Sequence, residues 1–338
     1  MIERKLYGCI AGAAVGEAMG AATATWTTDM IRAAHGGYLT TLQKPPVSTK
    51  CKGRFVAGQP GDAFTFSWQL LGRFVADGEI HGEHAAAEEL LTWGADPDHL
   101  DSAGYVTRES YCALAGIDTG YRYPFLTFDH HKISNEAAAR TAAVAVFYPG
   151  DCETACQKAI MVYKNIYNNM VSLSGAGAMA AAISEALRES ATCHSVLAAA
   201  VHGARRGYDI ADSYRAQPAA CPLVSRRIEL AIEIGLKYQN DFDRAIAEIE
   251  ACVGNSSAAN ESVPAVFGCL AATGGSAAAL TMAVNLGNDT DMMGAMAGAL
   301  VGALDPEALS PADIQLVSAV GSYDFATMAA NIAHQIQG

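Results

Sequence analysis

Two glycine series, one near each end of the chain, constrain the fold more than any other feature. Gly8, Gly12, Gly16 and Gly20 are spaced four apart, and so are Gly294, Gly298 and Gly302. On an α-helix a four-residue interval keeps returning to nearly the same side. Each glycine in a helix interior costs about 1 kcal/mol relative to alanine. Three or four in register therefore need a compensating gain, and close backbone-to-backbone packing supplies it. In membranes this spacing marks associating helices. Here Glu17 interrupts the first segment and Asp291 opens the second, so the series predict tightly packed helices in a water-soluble core. The spacing defines a face on each helix but does not pair the two helices.

The rest of the chain carries the same helical rhythm. Phe242, Ala245, Ile246, Ile249 and Val253 share one face, with Asp241 placed to cap the helix and Gly254 after it. Ser310-Pro311 reads as an N-cap followed by proline at the first helical position. Alternating runs of strand type are scarce, and no βαβ rhythm or long repeat occurs. The fold class expected is all-α. With 51% hydrophobic and 17% charged residues, the 338-residue chain has enough apolar surface for a large core, and no composition break divides residues 1–338 into two domains.

Charge and cysteine usage remove several function classes. A formal net charge of −13 repels phosphate backbones and argues against nucleic-acid binding. The basic pairs Arg205-Arg206 and Arg226-Arg227 read as solvated helix faces. The nine cysteines show no CxxC spacing, which fits free thiols in a reducing compartment better than a zinc knuckle or a disulfide framework. The start of the chain has a basic, then small-residue character like a secretory leader. Glu17 and the strict glycine interval favour a mature helix instead. No stretch reads as a membrane span, so a cytoplasmic location is expected.

Chemistry concentrates at helix starts. In Asn285-Leu286-Gly287-Asn288-Asp289-Thr290-Asp291 the glycine permits a sharp turn, and a turn can converge Asp289 and Asp291 where a helix would separate them. Two carboxylates with a nearby hydroxyl or carbonyl suit a hard divalent cation. An ordinary capped helix start is the competing reading. Asp62, in Gly58 to Phe64, reads first as a cap for the helix that carries Trp68 to Val75. Ser134-Asn135 precedes an Ala-rich helix with Arg140, where Asn and Arg suit a ribose hydroxyl and a phosphate, or else a cap and a surface charge. Irregular stretches at 36–63 and 117–134 are long for a helical protein, and the second is aromatic enough to order over a site. It includes His130-His131, a possible acid/base or metal pair. No GxSxG occurs, and Cys193-His194 lies in a helical stretch, so a nucleophilic enzyme is weakly supported.

In order, four segments resemble the ADP-ribosylglycohydrolase family: Gly8 to Gly20, Gly58 to Ala63, Ser134 to Arg140 continuing through Asp151, and Val263 to Ala303. The resemblance spans nearly the whole chain and is most specific in the last segment. It implies an all-α orthogonal helical bundle in a single domain, with a two-ion Mg²⁺ (or Mn²⁺) site at the bottom of a cleft. The implied reaction is hydrolysis of an N- or O-glycosidic bond at the anomeric carbon of a ribosyl substrate, ADP-ribosyl or nucleoside-like. Residue by residue it implies catalytic roles for Asp62 and Asp289, metal ligation by Asp62, Asp289, Thr290 and Asp291, and substrate contacts from Glu17, Ser134, Asn135 and Asn288. Departures from the family pattern are concentrated and specific. Glu17 stands for an aspartate, Gly61-Asp62-Ala63 for a Thr-Asp-Asp triplet, Glu136 for a glycine and Met292 for a threonine, and Leu173 or Ser174 for a histidine. Fewer hard ligands imply weaker, single-ion binding. A catalytically degenerate or engineered-inactive binding protein on the same scaffold is the alternative, since one Asp→Ala change at position 63 would produce it.

Overall fold

The computed structural model describes residues 1–47, 55–80, 83–120, 132–239 and 241–337. Within them the chain forms α1 (Ile2–Gly20), α2 (Thr28–His35), α3 (Asp62–Asp77), α4 (Ala85–Gly94), α5 (Pro97–Ser102), α6 (Tyr105–Leu114), α7 (Glu136–Ala139), α8 (Ala142–Ala145) and α9 (Cys152–Tyr163). Then follow α10 (Met170–Ala186), α11 (Cys193–Ser213), α12 (Val224–Lys237), α13 (Phe242–Cys252), α14 (Ala259–Ala272), α15 (Ala278–Val284), α16 (Thr290–Leu304), α17 (Pro311–Gly321) and α18 (Phe325–Gln337). Among the described residues there is no extended strand; only isolated bridges occur, one joining Ser134 to Ala258.

The two glycine series meet. Helices α1 and α16 lie antiparallel, and a Cβ added at Gly8, Gly12 or Gly16 would fall 2.2, 2.1 or 1.9 Å from the carbonyl oxygen of Gly302, Gly298 or Gly294 respectively. Gly20 continues the register against the Thr290 carbonyl, at 2.1 Å. No side chain fits such gaps. The approach brings backbone CH groups against facing carbonyls, contacts worth about 0.5–1 kcal/mol each, which offsets the intrinsic cost of glycine. Lys5 locks one end of this seam. Its Nζ donates to the carbonyls of Ala303, Leu304 and Ala186, a cation placed at two helix C-termini, where the helix dipole favours it.

Around this pair the same device recurs less visibly. Gly177 of α10 faces Gly203 of α11, and Gly235 of α12 faces the Gly268 carbonyl of α14. Every residue of α10 is buried, as expected for a central helix that is apolar on all sides. Asn169 caps it, accepting from the Val171 and Ser172 amides. One contiguous apolar core runs from Leu6 to Ala333. None of the described helices is long and apolar enough to cross a membrane.

Two local expectations hold and one is corrected. Asp241 accepts from the Arg244 amide and Ser310 from the Asp313 amide, so both caps form. Arg205, Arg206 and Arg226 make ion pairs at or near the surface with Glu229 and Glu153. Arg227 differs from that solvated reading. It is half-buried and its guanidinium donates to the carbonyls of Val253 and Asn260, at 2.9 and 3.1 Å. Pro264 lies inside α14 and has no N–H to offer the carbonyl four residues back, which is that of Asn260. Arg227 supplies the missing donor.

Candidate functional site

Two chain crossings fix the turn before α16. Gly287 and Asn288 both adopt left-handed backbone, at φ +79 and +61. A side chain at Gly287 would meet the Trp26 carbonyl at 2.9 Å. The Asn288 amide donates to the Trp26 carbonyl and its carbonyl accepts from Thr25. Asn285 pairs with the Leu39 backbone in both directions, and Asn255 donates to the Leu286 carbonyl. This held turn makes Asp289 the N-cap residue of α16 by position, yet its side chain makes no capping hydrogen bond. Instead Asp289 Oδ2 accepts from Asn135 Nδ2 at 2.7 Å. The cap reading is thus set aside for this residue.

Asn135 is fully buried and reaches Asp289 from the other side. Its segment is tied across by two backbone hydrogen bonds, from Asn135 N to the Ser257 carbonyl and from Ala259 N to the Ile133 carbonyl. Its Nδ2 also donates to Ser262 Oγ at 2.8 Å. Because a carboxylate accepts only, Asp289 fixes which end of the amide faces it. Asn135 Oδ1 is left buried without a partner. Ser134 Oγ, not Asn135, accepts from the first helical amide, that of Glu136. Ser134, Asn135, Asn288 and Asp289 all line one cavity of about 390 Å³, together with Asp101, Gly104, Arg108, Glu136 and Met292.

The start of α3 is built differently. Its N-cap is Gly61, and the cap itself comes from Glu17 of α1, whose carboxylate accepts from the Ala63 and Phe64 amides at 2.9 and 2.7 Å. A Cβ on Gly61 would fall 2.8 Å from Glu17 Oε1, so the bare positions 61 and 63 lie beside the longer acid at position 17. Burial first, then the charges of Asp62 and Asp291, pushes Glu17 up to about 8, partly opposed by those two amides.

Asp62, relieved of capping, pairs with Arg140 across 2.6 Å, both side chains being essentially unexposed. Arg140 is therefore neither a surface charge nor a group facing the cavity. Its guanidinium lies over the rings of Phe66 and Tyr167 and donates to Thr107 Oγ1 at 2.7 Å and to the Tyr167 hydroxyl. Thr107 in turn donates to Glu136 Oε2 at 3.0 Å. A continuous polar chain, Asp62–Arg140–Thr107–Glu136, thus connects the α3 start to the cavity wall. Thr107, Tyr167 and Glu136 carry no local sequence signal for this role, because their partners come from distant segments.

These commitments decide how well the residues fit the two-ion centre implied by the resemblance. Gly61 and Ala63 offer no ligand atoms, Asp62 holds a guanidinium, and Glu17 holds backbone amides. Thr290 Oγ1 donates to the Gly20 carbonyl and accepts from Thr23. Among the described residues no group of three or more His, Cys, Asp or Glu side chains is arranged to hold a metal ion. The donor set does not fit a two-ion centre. Asp289 lines the cleft and Asp291 lies close enough to Glu17 to act on its carboxyl; two carboxylates with waters are a donor set for one Mg²⁺ ion at most. The nucleophile alternative also weakens. Burial pushes the Cys193 thiol up to about 11, and it donates to the Leu270 carbonyl, the setting of an inert thiol. His130-His131 and the aromatic residues 121–128 lie outside the described residues.

Comparisons with known proteins agree over the full length. The family model for ADP-ribosylglycohydrolase matches residues 1–336. The chain is 26% identical over 341 aligned residues to the uncharacterized protein YegU of Escherichia coli (strain K12), covering 98% of this chain and 97% of that one. A solved structure, an ADP-ribosylglycohydrolase-related protein complex, superposes with a TM-score of 0.69 at 19% identity and 99% coverage of both chains. That likeness establishes the all-α fold, and the full-length family match establishes descent: this chain belongs to the ADP-ribosylglycohydrolase family.

Proposed function

We propose that the chain hydrolyses an N- or O-glycosidic bond at the anomeric carbon of a ribosyl group seated in the 390 Å³ cavity. Membership of a glycohydrolase family supports the reaction class. The observation that carries the assignment of this cavity is the Asp289–Asn135 hydrogen bond at its wall, made by residues far apart in sequence and not needed for any helix cap.

The cavity chemistry suits the reaction. Cleavage at an anomeric carbon passes through a transition state with oxocarbenium character. The carboxylates of Asp101, Glu136 and Asp289 line the cavity and stabilise developing positive charge without reorganising. Asp289 accepts a proton from the attacking water, and Asn135 positions it. The unpartnered Asn135 Oδ1 accepts from a ribose hydroxyl, while Ser134 and Asn288 contact the sugar. No step is assigned to Mg²⁺ or Mn²⁺, because the donor set does not fit the two-ion arrangement.

The test is a panel of nucleosides and ADP-ribose conjugates, with and without Mg²⁺ or Mn²⁺, read by detection of the released sugar, ribose from the nucleosides and ADP-ribose from the conjugates. Asp289→Asn should keep the fold and lower turnover by about 10²–10⁴. No release by this chain or by Ala63→Asp would sink the hydrolase reading. The buried Asp62–Arg140 pair and the bare positions 61 and 63 favour a second reading, a ligand-binding protein without turnover. Calorimetric binding of a ribosyl ligand with no release by the unmodified chain would select it, whereas turnover would remove it.

A further inference from the structure

We infer that Glu136 sets the substrate class of this cavity, excluding a phosphate from the sugar and admitting an uncharged ribosyl group. The inference rests on the reading of the cavity as a ribosyl site and adds which ribosyl groups enter it.

A helix N-terminus facing a cavity normally attracts anions, since its first amides point outward unpaired and the dipole is positive there. Helix α6 begins at this cavity with Gly104 as its N-cap and no side-chain cap of its own. Glu136, from α7, fills that position. Its Oε2 accepts from the Thr107 amide at 3.2 Å and from the Thr107 hydroxyl at 3.0 Å. The fit is close: a Cβ on Gly104 would fall 1.4 Å from Glu136 Oε1, so only glycine there lets the carboxylate lie as it does. The end of α6 is thereby converted from an anion seat into an acidic wall.

The remaining lining points the same way. Asp101 and Asp289 add two carboxylates, and Arg108, which is solvent-exposed, is the only cation lining the cavity among the described residues. Arg140 lies beyond Thr107 and holds Asp62. Asn135 Oδ1 is a buried acceptor without a partner. Carboxylate acceptors set among neutral hydroxyl and amide groups match an uncharged ligand rich in O–H or N–H donors, such as a sugar diol. A phosphate brings negative charge against three carboxylates, and although Ser134, Ser257 and Asn288 offer donors, the lining supplies no countercharge beyond Arg108.

The experiment measures binding of adenosine, adenosine 5′-phosphate and ADP-ribose to the full chain by calorimetry at two salt concentrations. Adenosine should bind about tenfold or more tighter than either phosphorylated ligand at low salt, with the gap narrowing as salt screens the cavity charge. Glu136→Gln, which keeps an acceptor for Thr107, should narrow the gap at low salt. If the nucleotide or ADP-ribose binds the unmodified chain as tightly as adenosine, the inference is overturned while the ribosyl site stands. Failure of all three to bind would remove the ribosyl site and the inference with it. The ligand series on the unmodified chain decides the matter even if Glu136→Gln does not fold, and Asp101→Asn, at an exposed position, gives a second charge-removal variant with the same expected narrowing.

Discussion

Helices α3 and α16 both begin near the cleft, each with an aspartate at its start, and they treat that aspartate in opposite ways. At α3 the cap comes from Glu17, and Asp62 is buried against Arg140. At α16 the N-cap residue Asp289 makes no capping hydrogen bond, the α1 backbone presses against the Thr290 carbonyl, and Asp289 lines the cavity beside Asn135. The same residue type at the same kind of position is structural in one place and available for chemistry in the other. The difference lies in what reaches the position from elsewhere in the chain, a buried cation in the first case and a buried amide in the second.

Breaking the α3 arrangement should have the largest effect. Arg140→Met removes the buried guanidinium that pairs with Asp62, which should cost about 3–5 kcal/mol in chemical denaturation. Adding Asp62→Asn should recover part of that loss. A double variant as unstable as the single one would show that the ion pair is not what holds this end. At the α16 start, Gly20→Ala places a Cβ about where the Thr290 carbonyl lies, so the backbone itself must move. A loss of about 1–3 kcal/mol is expected, together with weaker ligand binding because Asp289 moves with the helix start. Unchanged binding at reduced stability would separate the glycine seam from the site.

The Glu17 cap sharpens the comparison through pH. In the folded chain its carboxyl holds a proton up to about 8, against an ordinary value of 4.5. Folding therefore takes up a proton between those values, and the stability tied to this group is complete below about 4.5 and falls as pH rises to about 8. Thermal midpoints across that range should fall less steeply for Glu17→Gln than for the unmodified chain; equal slopes would show that Glu17 does not carry the dependence. The smallest effect belongs to Gly61→Ala. Its Cβ would meet the far end of the Glu17 side chain, which can shift, so a cost near 1 kcal/mol or less is expected. A loss as large as that of Gly20→Ala would mean the cap is as rigid as the seam.

Much of the fold was legible because it rests on local regularities. The glycine intervals identified two close-packing faces, and the Asp241 and Ser310 caps and the α13 face followed from spacing. What spacing could not give was the partner. Nothing within residues 8–20 names residues 290–302, and nothing near Arg227 indicates the carbonyl that Pro264 leaves open. The site divided along the same line. The Asp289 turn was visible from Gly287 and its acids, but the choice between cap and cavity wall depended on Asn135. Asp62 could be marked as acidic and near a helix start, yet its Arg140 partner and the Glu17 cap come from other segments. Glu136 was visible only as a departure from a family pattern, and its seat on α6 requires Gly104, Thr107 and the folded chain.

The antiparallel seam between α1 and α16 also carries a consequence for biosynthesis. Helix α1 has a glycine face whose fitting surface lies on α16, which is translated long after it. Until α16 emerges, α1 exposes apolar side chains and a face that no nearby segment can complete, and contacts of such long sequence separation form slowly. Truncation before α16 removes the surface against which the glycine face of α1 packs.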